Sequence, residues 1–315
     1  MSLNAAIESS ILRFYAQLAL VMLVLAGLVI LTLRWVLKRD VEHAWKAYRG
    51  WLVMAPLVFL VLFLGRFTTI LFFTILALSA FKEFARATGL YNDWFMSGAV
   101  SLAIVALGVV AFVPDPYMEL LGWYGLFMAL PVYAIAVILM IPILRNRAQG
   151  QLQAVALAIV GFIYFGWMFG HVAFLANAGP AYAYLLFILL AVELNDISAY
   201  TFGKLFGRHP LRTNISPGKT WEGAIGALIV SLALPWLLRF TFPHFGAWDC
   251  ILIGLTVGVG GQLGDLTIST IKRDLGIKDM GAAIPGHGGI LDRVDSLIFV
   301  APLFFHLTRW RHGIY

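Results

Sequence analysis

ILRFYAQLALVMLVLAGLVILTL, residues 11–33, holds a single charged side chain, Arg13. Wound as an α-helix, such a run is about 34 Å long, enough to cross the roughly 30 Å hydrocarbon layer of a bilayer. Nine further apolar runs follow, at 51–65, 68–81, 95–113, 123–144, 153–175, 182–202, 223–241, 248–271 and 290–308. The first two of these are short and divided by Gly65 and Arg66, so they read as two spans or as one kinked unit. In hydrocarbon every backbone polar group needs a partner within the protein, which leaves helices or a closed barrel. The alternating ten-residue strands of a barrel are absent from the sequence. The expected fold class is all-α: a polytopic bundle of nine or ten transmembrane helices.

Composition agrees. Of 315 residues 61% are hydrophobic and 12% charged, against about 25% charged in soluble domains. A water-soluble core could not hide that much apolar surface, so lipid is the expected solvent. The net charge of +6 comes from 22 basic and 16 acidic side chains. In this setting it is read as the lysine and arginine of cytoplasmic loops, not as a nucleic-acid surface. The basic side chains alternate by loop. Segments 34–50, 82–93, 145–150, 203–222 and 272–289 carry them, while 114–122, 176–181 and 242–247 have none. This places the N-terminus outside and the basic loops in the cytoplasm, and the expected location is a bacterial inner membrane. Arg309 and Arg311 fall on the other side under this count. Met1–Ser10 lacks the basic start of a signal peptide. The lone Cys250 excludes an internal disulfide. No soluble domain or repeat stands out, so residues 1–180 are read as a helical scaffold and 181–315 as the catalytic region.

Charge at membrane depth costs about 2.5–3.5 kcal/mol per residue on insertion scales, so it tends to mark a site. Three clusters qualify, near one end of the last four spans. In VELNDISAYTFGKLFGRHP, 192–210, Glu193 and Asp196 share a helix face with Tyr200. In NISPGKTWEG, 214–223, Pro217 and Gly218 are expected to turn the chain, and Thr220 to open a helix whose first amides could hold phosphate. In 261–296, Asp265, Ser269 and Lys272 recur at helical spacing, and Asp292 and Asp295 are three apart. Plainer readings exist for each piece: a buried ion pair at Glu193, loop-anchoring cations at Lys204 and Arg208, an interfacial anchor at Trp221, a turn histidine at His287, a packing residue at Ser269. His171, His244 and Arg66 read as structural. Asp265, Asp292 and Asp295 together are harder to dismiss, because carboxylates among apolar neighbours need a cation. Hard oxygen donors with lysine, arginine and glycine turns suit Mg²⁺ and polyphosphate. Zinc, haem, P-loop and serine-hydrolase patterns are missing.

The third cluster also carries a resemblance. STIKRDLGIKDMGAAIPGHGGILDRVD, Ser269–Asp295, resembles the signature of the phosphatidate cytidylyltransferase (CDP-diacylglycerol synthase) family: Ser, two residues, Lys-Arg, four residues, Lys-Asp, a Pro-x-His-Gly-Gly segment, then Asp-Arg-x-Asp. NDISAYTFGKLFG and SPGKTWEG are similar to family segments too, so the match covers roughly 193–300. One departure is Ile268, where many members have Glu. The resemblance implies that CTP and phosphatidic acid give CDP-diacylglycerol and pyrophosphate, with Mg²⁺ and room for a second, monovalent cation such as K⁺. Carried over by position, Asp265 and Asp292 would be the metal ligands, with Asp196 and Asp295 as acidic support. Lys219, Lys272, Arg273, Lys278 and Arg293 would contact phosphates. Ser216, Thr220, Ser269, Asp279 and His287 would complete the substrate side. Two rivals stay open: a CTP-dependent transferase or kinase acting on another lipid, and an ion-coupled transporter. The sequence leaves room for a homodimer.

Overall fold

The computed structural model describes all residues except 39, 119–120, 282–287 and 314–315, and the side chain of residue 43. A short helix α1 (Leu3–Glu8) leads into α2 (Ser10–Trp35), α3 (Glu42–Leu64), α4 (Arg66–Ala87), α5 (Trp94–Phe112) and α6 (Tyr124–Leu144). Next come α7 (Gln151–Val160), a π-helical stretch (Gly161–Met168) and α8 (Phe169–Phe174), which run on as one rod. The C-terminal part holds α9 (Ala181–Phe206), a hairpin of β1 (Pro210–Arg212) and β2 (Ser216–Thr220), then α10 (Trp221–Leu237), α11 (Ala247–Asp274) and α12 (Leu291–His312). Among the described residues, eight helical segments are long and apolar enough to cross a membrane: α2 to α6, the α7–α8 rod, α9 and α11. The 17-residue α10 is shorter. The 22-residue α12 has the length but keeps charges at both ends: Asp292, Arg293 and Asp295 at one, Arg309 and Arg311 at the other. The expected helical membrane bundle is what folds.

Local chemistry sets the ends of these helices. Ser9 Oγ accepts from Leu12 N at 3.1 Å and opens α2; Asp93 Oδ1 accepts from Met96 N at 3.3 Å and opens α5. Thr220 Oγ1 accepts from Gly223 N at 3.2 Å and opens α10. Each side chain satisfies an amide that has no partner inside the helix. Between 51–65 and 68–81 the chain does not kink but breaks. Gly65 has φ of 107°, a backbone that residues with a Cβ rarely adopt, and α3 and α4 are separate helices packed on each other.

Burial rises along the chain. In α2, Leu20, Val21, Val24, Leu25, Leu28 and Val29 are all exposed, as expected of a lipid-facing helix. By contrast α9 and α11 are buried by α10 and α12. Tyr184, Phe187, Phe242, Phe245 and Phe304 form the aromatic floor, with Phe242 and Phe245 stacked at 4.7 Å. Arg309 and Arg311 cease to be anomalous here. The Arg309 guanidinium lies 3.7 Å from the centre of the Tyr124 ring, and Arg311 Nε donates to Asp249 Oδ1 at 2.7 Å. Cations held by protein partners need no cytoplasmic loop, so the positive-inside count does not apply to them. The ends that should share a side do meet. Arg145 at the end of α6 pairs with Asp93 at the start of α5 at 2.7 Å, and Glu83 near the end of α4 reaches the start of α12.

Candidate active site

α9, α10, α11 and α12 bring the three polar clusters together at one end of the bundle. α11 and α12 approach closely at Gly264. A Cβ there would lie 2.6 Å from the Asp295 carbonyl oxygen and 2.8 Å from Ser296 Cα. Only glycine lets α12 press its acidic first turns against Asp265, one residue further along α11.

Two ion pairs frame the site. Lys219 Nζ, from the hairpin, sits 2.7 Å from Asp265 Oδ2; Ser269 Oγ donates to Asp265 Oδ1 at 3.1 Å, across one helical turn. Lys272 Nζ sits 2.9 Å from Asp292 Oδ1, with both side chains nearly buried. Asp292 Oδ2 accepts from the amides of Met280 at 3.2 Å and Gly289 at 3.0 Å, so this carboxylate also ties down both shoulders of the α11–α12 connection.

Behind these pairs lies a chain of neutral polar groups. Lys219 Nζ donates to Gln262 Oε1 at 3.3 Å. Gln262 Nε2 donates to Asn195 Oδ1, and Asn195 Nδ2 to Ser231 Oγ, each at 2.9 Å. Four elements (β2, α11, α9 and α10) are thereby joined through one buried asparagine. Ser296 Oγ bridges Asp196 Oδ1 at 3.3 Å and the Gly261 carbonyl at 3.1 Å, linking α12 to α9 and α11.

Glu193, Asp196, Asp265 and Asp295 lie close enough to repel one another. Against these acids and Asp292 stand Lys219, Lys272 and Arg293, with Arg293 interacting with Glu193 and Asp196. Carboxylates outnumber cations, and the donors are hard oxygens, which fits a divalent cation or a cation brought with polyphosphate. Among the described residues no three His, Cys, Asp or Glu side chains converge as a ready ligand set. Asp265, half-buried and beside Asp196 and Asp295, is the carboxylate best placed to add a metal.

Other expected residues have different partners. Arg273 donates through Nε to the Ile215 carbonyl at 3.1 Å and through Nη1 to the Ile277 carbonyl at 3.3 Å, strutting the hairpin against the end of α11. Thr220 is the α10 cap, and Ser216 is half-buried in β2. Pro217 and Gly218 do not form the turn; residues 213–215 do, and the proline and glycine are accommodated in β2 of an exposed two-stranded ribbon. Lys278 and Asp279 are exposed on the connection, and His287 lies outside the described residues. The sequence reading passed over Glu83, Asn195, Gln262 and Ser296. A lone amide inside an apolar run was the available signal for Asn195 and Gln262.

Outside the membrane segments, Glu222 accepts from the Arg208 and His209 amides at 3.1 and 3.3 Å and from His209 Nδ1 at 2.6 Å. These bonds, the His209 ring first among them, hold its carboxyl down at about 2. The contact pins the end of α9 to the start of α10.

Fold and site together define an integral membrane protein with a cluster of carboxylates and cations at one end of a helical bundle. The chain belongs to the cytidylyltransferase family, whose model matches residues 45–310. It is similar to the phosphatidate cytidylyltransferase of Staphylococcus haemolyticus, 36% identical over 255 residues that cover 80% of this chain and 94% of the relative. The phosphatidate cytidylyltransferase of Staphylococcus aureus strain COL is 37% identical over 262 residues, with the same coverage. The uncharacterized protein YnbB of Escherichia coli K12 is 32% identical over 250 residues, 78% of this chain and 80% of its own. The protein is accordingly a nucleotidyltransferase enzyme, and a multi-pass one.

Proposed function

We propose that the protein transfers the cytidylyl group of CTP to phosphatidic acid, giving CDP-diacylglycerol and pyrophosphate for phospholipid synthesis. The observation that carries this reading is the pairing of Lys219 with Asp265 and Lys272 with Asp292 in one polar cluster at the end of lipid-embedded helices. Cations ready to leave a carboxylate for a phosphate, at a membrane boundary, suit a reaction between a lipid-borne anion and a soluble triphosphate.

The nucleophile is the phosphate monoester of the lipid. Its second pKa is about 6, so at neutral pH it is largely dianionic and requires no general base. One of its oxygens attacks the α-phosphorus of CTP, the bond from that phosphorus to the bridging oxygen breaks, and pyrophosphate leaves with the electron pair. The obstacle is repulsion between two polyanions. Lys219, Lys272 and Arg293 lower it, joined by Arg273 from the end of α11 and Lys278 from the connection, and they hold the two phosphates in line. Mg²⁺ is the cofactor that fits the donor set. Asp265 would hold it, with Asp292 Oδ1 offering its remaining lone pair and with Asp196 and Asp295 nearby; a monovalent cation could draw on the same surplus of oxygen donors. When bound, it would neutralise phosphate charge. Acyl chains stay in the bilayer, and the basic loops draw anionic headgroups to the cytoplasmic face by about 1 kcal/mol per residue.

The second reading, transfer to a different lipid phosphate, is favoured by Ile268. It is fully buried against its neighbours where many relatives are expected to have a carboxylate. One experiment separates the readings. Purified protein is given CTP, Mg²⁺ and a panel of lipids, and pyrophosphate and lipid products are measured by mass spectrometry. Wild type should form CDP-diacylglycerol, and Asp265→Asn should form none while remaining folded. Near-normal turnover by Asp265→Asn across a Mg²⁺ titration sinks the metal assignment. Product from another lipid alone sinks the phosphatidic acid assignment, and the absence of any CTP-dependent pyrophosphate favours a transporter.

A further inference from the structure

α12 carries Asp292, Arg293 and Asp295, yet it has no cap of its own. The residue before it is Ile290, whose side chain has nothing with which to accept a first-turn amide. The missing acceptor comes from the other half of the chain. Glu83 of α4 accepts from Ile290 N at 3.0 Å through Oε1 and from Leu291 N at 2.9 Å through Oε2. One carboxylate thus takes two adjacent amides of a helix start, where the helix dipole also favours negative charge.

The connection is shaped around this carboxylate. A Cβ on Gly281 would lie 2.6 Å from Glu83 Oε1, and a Cβ on Gly289 would overlap Glu83 Oε2. Gly281 and Gly289 flank the connection on its two sides, and both backbones close on the same side chain. Asp292 then binds Met280 N and Gly289 N from within. The connection is clamped between two carboxylates, Asp292 from α12 and Glu83 from α4.

We infer that Glu83 is a positioning residue for cytidylyl transfer: it fixes the height and rotation of the first turn of α12, and with it Asp292, Arg293 and Asp295. The inference rests on the cytidylyltransferase reading above. Glu83 itself touches no reacting atom; it works through the backbone of Ile290 and Leu291. It also makes the N-terminal helices part of the catalytic geometry, since α4 supplies the acceptor.

The test uses full-length protein in detergent, assayed with CTP and phosphatidic acid. Glu83→Gln keeps the size of the side chain but turns one acceptor into a donor facing an amide. Its kcat should fall on the order of a hundredfold, the loss expected from a misplacement of about 1 Å. KM for CTP and for lipid should stay within about twofold, because the loss appears in the transition state. Glu83→Asp, which keeps both acceptors on a shorter stem, should recover part of that kcat. A second arm needs no substrate. Gly281→Ala should lower the melting temperature in the wild-type background, where the three atoms nearest the new methyl all belong to Glu83, and add little in the Glu83→Ala background, where those atoms are gone. A kcat for Glu83→Gln within about twofold of wild type overturns the inference, as do melting shifts for Gly281→Ala and Glu83→Ala that simply add. If phosphatidic acid is inert and another lipid accepts the cytidylyl group, the substrate reading fails and the same kcat comparison on that lipid decides the role of Glu83.

Discussion

Asn195→Ala is the sharpest test of how this bundle is held together. Asn195 is fully buried and joins Gln262, Ser231 and the Gly258 carbonyl. Removing its amide leaves the Gln262 amide and the Ser231 hydroxyl without their partner. Interhelical hydrogen bonds in membrane proteins average about 0.6 kcal/mol in double-mutant cycles, with a maximum near 1.7. An unsatisfied buried polar group adds roughly 1–3 kcal/mol where it finds no substitute. Ser231 can turn back to its own helix, so the net cost is set at about 2–4 kcal/mol. At an unfolding entropy of about 2.1 cal/mol/K per residue, this lowers the melting temperature by roughly 3–6 °C. Lys219 keeps its 2.7 Å contact with Asp265, so turnover per folded molecule should fall by less than about tenfold. Thermal unfolding of the purified variant, with activity normalised to folded protein, reads both numbers. A melting temperature within 1 °C of wild type would show that the four-element chain is ornamental, and about a hundredfold loss in kcat would show that Asn195 acts in the chemistry instead.

Other perturbations separate packing from charge. Lys272→Met strands the nearly buried Asp292 carboxylate and should cost about 3–5 kcal/mol, seen as poor yield of folded protein. Gly264→Ala inserts a methyl 2.6 Å from the Asp295 carbonyl oxygen; it should destabilise by about 1–3 kcal/mol and depress turnover, with both losses measured on the same preparation. Asp93 is held below the ordinary aspartate range: burial pushes its pKa up, and the Arg145 hydrogen bonds with the Met96 amide outweigh it. A lowered carboxyl stabilises the fold fully above about pH 3.9, and that contribution disappears as pH falls through the lowered value. Arg145→Ala should therefore flatten the acid side of the stability profile, and an unchanged profile refutes the pairing.

Much of this architecture is legible in sequence because lipid imposes a strong signal. A run such as 11–33 has no alternative to a helix, and charges such as Asp265 stand out against apolar neighbours. The break at Gly65 is visible as punctuation, although its outcome, two helices, depends on a positive φ that pattern alone does not fix. The turn expected at Pro217 and Gly218 falls instead at 213–215, because pairing between Pro210–Arg212 and Ser216–Thr220, which sequence pattern does not reveal, decides where the chain reverses. Glu83 was invisible for a different reason. It lies 207 positions from Ile290, and beside Lys82 it reads as an ordinary loop charge until the bundle brings the two together. Arg309 and Arg311 stand against the topology count because the groups that hold them, the Tyr124 ring and the Asp249 carboxylate, come from other helices.

α12 is fastened at both ends. Glu83 grips its first amides, and Asp249 grips Arg311 in its last turn. A rod moored fore and aft cannot ride up or down when the surrounding bilayer thickens or thins. Mismatch falls instead on α2 and α3, the least buried of the long apolar helices, so the depth of the acidic cluster relative to the headgroups follows the protein more than the lipid.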